Sequence, residues 1–381
     1  MWRLNFLAIS FTCALHIFSY ASIPLYKVYP ALQDKIAHVV LGDFPTNLQQ
    51  CPQLSQAFGC TLYCKRDDRA GRLKNDGFRL VGGNKVRKLE FVLADALRKE
   101  ADHIITFGCA GSNHALATSV YAKSFNMATT CFLHHQPRSW VVQRNLLLQK
   151  YYGATLYSVL SKDERVQATE LCKTNLFEKT GKEPYIIPVG ASFPLGVLGF
   201  INAVFELQEQ IIEGQMPLPD FIYVPAGSFG TAVGLLIGLQ LIDYPSQVVA
   251  VAVSRGNCKE SIRALFEETK EFLSPLCESF NVLQWNEEQL IVHDSFYGDG
   301  YGCPTQSGTD ALTLFNTCEK IILEDTYSAK AAAALVSDAQ NEKLRNKVVL
   351  FWLTFFADSC NELCETVSFE DLPKEFHTYF Q

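Results

Sequence analysis

Charged residues are scarce, at 19% of a 381-residue chain, while 48% of it is hydrophobic, which excludes a disordered polymer. No long basic run is present and the net charge is -7, so nucleic acid is not expected as a partner. The thirteen cysteines contain no Cys-x-x-Cys pair, and no histidine pair stands at zinc spacing near Cys360 and Cys364. No metal is therefore expected. The odd count fits reduced, mostly buried thiols better than a disulfide framework. The fingerprint Gly-x-Gly-x-x-Gly is absent, as is a Walker lysine, which disfavours dinucleotides and ATP. Without a Gly-x-Ser-x-Gly elbow, a serine hydrolase built on Ser112 and His114 is poorly supported. Internal repeats and low-complexity blocks are also lacking.

What is present is a chain long enough for two domains or one large α/β unit. Leu4 to Phe18 is apolar apart from Asn5, Ser10, Thr12 and His16, and Ser19-Tyr20-Ala21 offers small residues at two positions a signal peptidase reads. The first 28 residues are either an apolar extension or contain a signal peptide ending near residue 21. No stable membrane span is expected after residue 21.

Further on, apolar strand patterns alternate with helical ones. Strands are predicted at Thr61–Cys64, His103–Phe107, Ala128–Leu133, Thr155–Tyr157, Tyr185–Ile187, Phe221–Val224, Val248–Val253 and Val348–Leu353. Helices are predicted over Glu90–Lys99, Asn113–Ser124, the stretch ending at Leu146, and from Thr231. This alternation implies an α/β fold of open, twisted, mostly parallel sheets with flanking helices, which bind ligands at strand carboxyl ends.

Three turns at such ends are rich in Gly, Ser and Asn: Gly108 to His114, Pro188 to Gly196, and Pro225 to Thr231. In the last, Gly227, Ser228, Gly230 and Thr231 offer backbone N–H groups and hydroxyls at a helix start, which suits a phosphate dianion. Ser228 or Thr231 can equally serve as an ordinary helix cap. Ser112 and Asn113 open another helix. There Asn113 can hydrogen-bond a phenolate-like oxygen and Ser112 can hold a carboxylate, or Ser112 can simply cap. Gly82-Gly83-Asn84-Lys85 sets a lysine at a tight turn ahead of Leu89, Phe91, Val92, Ala94 and Leu97. A desolvated lysine forms Schiff bases with carbonyl compounds. Lysine, phosphate cradle and asparagine turn together describe a pyridoxal phosphate site.

With these blocks the sequence resembles the family of D-cysteine desulfhydrases and 1-aminocyclopropane-1-carboxylate deaminases, among the tryptophan-synthase-β-like (fold type II) enzymes. The resemblance runs from about Tyr29 to Cys364. It also covers Lys65 to Asp68, Tyr301-Gly302-Cys303-Pro304, Asp325 to Lys330 and Leu353-Thr354. It implies a larger domain from residues 29–85 and 200–381, a smaller one from 86–199, a homodimer and a cytoplasmic enzyme, or an exported one if the N-terminus is cleaved.

The resemblance also assigns roles. Lys85 is the Schiff-base lysine and proton-transfer base, with Asn84 beside it. Asn113 contacts the cofactor 3′-oxygen and Ser112 the substrate carboxylate or reacting centre. Tyr301 and Tyr327 match two active-site tyrosines, while Ser328 and Thr354 border the cofactor ring, Thr354 at the pyridine nitrogen. The deaminase branch has Glu and Leu at those last two positions. Their hydroxyls here imply α,β-elimination on a small D-amino acid, with D-cysteine as substrate and ring-opening deamination of 1-aminocyclopropane-1-carboxylate as the alternative. Four departures stand out. Gly111 replaces a usual Gln, Phe193 a usual Asn and Phe229 a usual Gly, and Phe355-Phe356 replace a glycine pair. The phenylalanines keep open a third reading, a non-catalytic homologue that binds pyridoxal phosphate or an amino acid.

Overall fold

A computed structural model describes residues 23–381. The signal-peptide expectation lies outside the described residues. Helices are α1 (Pro24–Val28), α2 (Pro52–Phe58), α3 (Lys85–Arg98), α4 (Asn113–Lys123), α5 (Trp140–Tyr151) and α6 (Lys162–Thr180). They continue with α7 (Pro194–Ile212), α8 (Gly230–Leu241), α9 (Cys258–Leu273), α10 (Gln306–Glu319), α11 (Ser328–Gln340) and α12 (Asn361–Cys364). Strands are β1 (Leu48–Gln50), β2 (Thr61–Arg66), β3 (His103–Cys109), β4 (Ala128–His134), β5 (Thr155–Val159), β6 (Tyr185–Ile187), β7 (Phe221–Ala226), β8 (Gln247–Ala252), β9 (Leu290–His293) and β10 (Val348–Leu353).

These strands form two sheets, ordered β1-β2-β10-β7-β8-β9 and β5-β4-β3-β6. Among the described residues, every strand pairing is parallel except β1 with β2. The four-stranded sheet uses only chain between residues 103 and 187, and the six-stranded one draws on both flanks. Helices on both faces leave the central strands no solvent side. β10 accordingly reads as an unbroken apolar run, Val-Val-Leu-Phe-Trp-Leu, buried from its second residue onward.

Each sheet has a point where strand order reverses. In the small sheet β3 lies between β4 and β6, and in the large one β10 lies between β2 and β7. Crevices open at the carboxyl ends of such strands. The turns after β3, β6, β7 and β10 carry Ser112, Gly190, Ser228 and Thr354. Helix α7 passes the apolar and length test for a membrane span, but 72% of its apolar window is buried. It packs on α3 and α8 as a core helix.

One expected boundary shifts, and two strands were not expected. Helix α3 starts at Lys85, five residues before the predicted Glu90, because Arg87 and Lys88 are buried charges that break the apolar period. Strand β1 is short and polar, and β9 is a four-residue edge strand; neither carries a periodic signal.

Candidate functional site

One cavity collects residues from all of these turns. Its walls include Asn84, Lys85, Ser112, Asn113, Gly227, Ser228, Thr231, Tyr301, Tyr327 and Thr354. Cys109, His114, Phe229, Glu324 and Phe355 complete much of the remainder. Gly230 and Ser328, both expected at the cofactor, do not line it.

Lys85 is the first residue of α3, and burial lowers its amine to about 8. The turn before it is locked to the end of β10. Asn84 N–H donates to Thr354 O at 3.2 Å, and Gly83 adopts φ 52 with its α-carbon against that carbonyl. A Cβ on Gly83 would stand 2.5 Å from Thr354 O, so this position requires glycine. The two wall segments that carry Lys85 and Thr354 are thus one unit.

At the opposite wall, α8 starts without a side-chain cap, so neither Ser228 nor Thr231 is used as one. Instead Ser192 Oγ, from the turn after β6, donates to Ser228 Oγ at 2.8 Å and accepts from Gly230 N–H at 3.2 Å. Lys88 Nζ donates to the same Ser192 hydroxyl at 3.1 Å and to Gly190 O at 3.0 Å. Asn84 Nδ2 donates to Thr231 Oγ1 at 3.4 Å. A helix start and hydroxyls converge here, a combination that suits a phosphate, with the fully buried Lys88 amine behind Ser192 and not itself at the cavity wall. Lys88 was not expected from the sequence. Its signal was its place one helical turn after Lys85, on the same face.

Ser112 does cap α4, accepting from Ala115 N–H at 3.1 Å, and its hydroxyl hydrogen remains available to the cavity. The hydroxyls of Tyr301 and Tyr327 are hydrogen-bonded to each other, with the rings edge-on at 5.9 Å. Burial raises the pKa of both phenols, so both are neutral proton carriers at physiological pH.

Ser328 is fully buried at the start of α11, where its hydroxyl accepts from Glu324 N–H at 2.8 Å and donates to Glu324 Oε1 at 3.2 Å. Glu324 takes the place at the cavity wall that the sequence suggested for Ser328. Its carboxylate accepts from Thr326, Tyr327 and Ser328 N–H at 2.8–2.9 Å. Burial raises its pKa against the pull of those donors. An acidic residue just ahead of a helix start was the legible signal.

The departures divide. Phe193 lies away from the cavity, ahead of α7. Phe229 lines it and holds φ 67, so the backbone keeps a glycine-like conformation with a ring attached. Phe355 lines it and Phe356 is buried behind. Beside Gly111, Gln136 from the turn after β4 accepts the Gly111 N–H at 3.0 Å, bringing an amide to the neighbourhood where one is missing.

A half-buried amine lowered to about 8 and an anion cradle that line the same cavity fit an aldehyde that carries a phosphate. Comparison with known proteins agrees. Residues 39–354 match the family described as pyridoxal-phosphate dependent enzyme. A protein of Pyrococcus abyssi named "Putative 1-aminocyclopropane-1-carboxylate deaminase" is 32% identical over 323 residues, covering 84% of this chain and 92% of that one. One of the same name from Thermotoga maritima is 33% identical over 309 residues, covering 81% and 92%. The crystal structure of an ACC deaminase homologue superposes with a TM-score of 0.74 at 31% identity, covering 90% of this chain and 99% of that one. A fungal L-serine ammonia-lyase from Rhizomucor miehei, at 16% identity and a TM-score of 0.57 over 88% of this chain and 98% of that one, shares the fold. The chain therefore belongs to the pyridoxal-phosphate dependent enzymes of fold type II, in the family that includes the 1-aminocyclopropane-1-carboxylate deaminase homologues.

Proposed function

We propose that the protein eliminates the β-substituent of a small D-amino acid, with D-cysteine as substrate, giving pyruvate, ammonia and hydrogen sulfide with uptake of one water. The observation that carries this reading is the Lys85 amine, lowered to about 8 inside the cavity. At physiological pH a useful fraction of it is neutral and can take an α-proton. Pyridoxal phosphate, when bound, supplies an electron sink for charge developing at the α-carbon. Lys85 and the cradle of Gly227, Ser228 and Thr231, backed by Lys88, would hold it. Ser112 donates its hydroxyl hydrogen to the substrate carboxylate. The Tyr301–Tyr327 pair holds a proton for the leaving thiolate, and Phe355 keeps that side of the cavity apolar.

A second reading, deamination of 1-aminocyclopropane-1-carboxylate to 2-oxobutyrate and ammonia, is favoured by the relatives' names and by Glu324. Ser328 gives no support to the first reading, because its hydroxyl is spent on Glu324. Thr354 supports it from the wall. Incubating the purified protein with D-cysteine, L-cysteine and the cyclopropane amino acid decides the matter. Sulfide and pyruvate from D-cysteine are expected. 2-Oxobutyrate as the preferred product would transfer the assignment to the second reading. No product from a protein that binds the cofactor would point to a non-catalytic homologue.

A further inference from the structure

The Asn113 side chain has an accepting carbonyl end and a donating NH2 end, and what it does in the cavity depends on which end faces inward. Its neighbours decide this. Arg144 on α5 is a donor only, and its Nε–H donates to Asn145 Oδ1 at 3.0 Å. Asn145 must then carry its NH2 on the far side. There Nδ2 donates to Gly111 O at 2.8 Å and to Asn113 Oδ1 at 3.0 Å. The Gly111 carbonyl can only accept, so it demands the same orientation independently. Both Asn145 amide hydrogens are spent, Asn113 Oδ1 is occupied, and the Asn113 NH2 is left for the cavity.

Arg144 is itself held firmly. Its Nη1 donates to Phe356 O at 3.0 Å and to Asp358 O at 2.8 Å. The guanidinium centre lies 5.0 Å from the Trp140 ring and 5.2 Å from the Phe355 ring. Among the described residues it pairs with no carboxylate, although it is only 4% exposed. The phenylalanines that replace a glycine pair after Thr354 therefore pack against the cation that starts this chain of hydrogen bonds.

We infer that Arg144 and Asn145 are positioning residues that set the polarity of Asn113, so that it offers hydrogen-bond donors to an anionic oxygen of the occupant. That the occupant is pyridoxal phosphate, with its ring oxygen as the acceptor, rests on the proposed function. The polarity itself does not.

Two measurements test this. In cofactor-free wild-type protein labelled with 15N-asparagine, the NH2 of Asn145 should exchange slowly with solvent and that of Asn113 fast, each assigned by its loss in the corresponding alanine variant. The reverse order would overturn the inference. The second measurement is an absorbance titration with pyridoxal phosphate. Asn145→Ala removes the restraint and should weaken binding roughly fivefold, the effect of one neutral hydrogen bond. Asn145→Asp keeps the shape and gives Arg144 a counter-charge, so it should fold. It replaces the donors with acceptors and turns the Asn113 carbonyl inward, and should weaken binding roughly thirtyfold or more. Equal effects of the two variants, or none, would overturn the inference. A wild-type protein that binds no cofactor would instead refute the cofactor reading and leave the exchange measurement to decide the polarity.

Discussion

The Lys88 amine lies 3.1 Å from the Ser192 hydroxyl, beneath the loop that opens α8, and among the described residues no carboxylate pairs with it. Burial pushes its pKa well down, and the charge of Lys85 adds to the effect. The positive end of α8 faces the same place. In cofactor-free protein these like polarities are uncompensated, and a phosphate dianion relieves them.

Lys88→Met should therefore bind pyridoxal phosphate roughly tenfold more weakly, as expected for loss of a charge-assisted contact. Pyridoxal, which lacks the phosphate, should lose little. Calorimetric titration with both ligands checks this, and an equal loss for the two would rule out a phosphate-directed role. The cofactor-free variant should also melt higher than wild type.

The reactivity of Lys85 should follow its lowered pKa. Reductive capture of the cofactor by this amine should rise with pH about a midpoint near 8. A midpoint in the ordinary lysine range would mean that the amine is not desolvated. For a lysine with a lowered folded-state pKa, the unfolded chain binds more protons between the two values. Its contribution makes cofactor-free protein more stable as pH rises from about 8 toward the ordinary lysine value.

Glu206 on α7 joins Arg87, Lys65 and, through Arg87, Asp67 in a buried network behind the Lys85 turn. Arg87 donates to Glu206 and to Asp67 at 2.8 Å, Lys65 reaches Glu206 at 2.6 Å, and Trp352 Nε1 donates to Asp67 at 2.7 Å. Burial alone would raise the Glu206 carboxyl, but Arg87 and Lys65 prevail and hold it at about 2. Glu206→Ala should cost about 3–5 kcal/mol in denaturant unfolding, because buried Lys65 loses its carboxylate partner and buried Arg87 keeps only Asp67. The wild-type contribution is fully present above the ordinary glutamate value and fades as pH falls toward about 2.

Ser328→Glu should not be a clean substrate-switching change. The new carboxylate would meet Glu324, whose Oε1 lies 3.2 Å from the present hydroxyl. We expect loss of at least about 2 kcal/mol of stability from a buried, unpaired like charge. Thermal melts of this variant beside Thr354→Leu, which only reshapes the wall, make the comparison. Equal melting temperatures would contradict the placement of Ser328.

Much of this arrangement was legible. The parallel α/β architecture followed from the alternation of strand and helix patterns. Ser112, Asn113, Ser228 and Thr354 face one cavity because each follows the carboxyl end of a strand, and Lys85 joins them because its turn is hydrogen-bonded to Thr354. What escaped were residues whose roles depend on chain distant in sequence. Lys88 carried no expectation of its own, and its place becomes visible only where Gly190 and Ser192 fold over it. Ser328 looked like a ring contact, but the local turn directs its hydroxyl to Glu324 and brings that carboxylate to the wall. Arg144 and Asn145 sit in an unremarkable helix, and only the packing of Phe355 and Phe356 reveals them. Phe229 stands where the family resemblance leads one to expect a glycine. The loop nonetheless retains a positive φ and carries the ring into the cavity wall.

The central claim is that Lys85 carries pyridoxal phosphate in this cavity, and borohydride reduction of the holoprotein followed by peptide mass mapping tests it most directly. The account predicts a single phosphopyridoxyl mark on Lys85, lost in Lys85→Ala. A mark on Lys88 or any other lysine, or none on a protein saturated with cofactor, would contradict it.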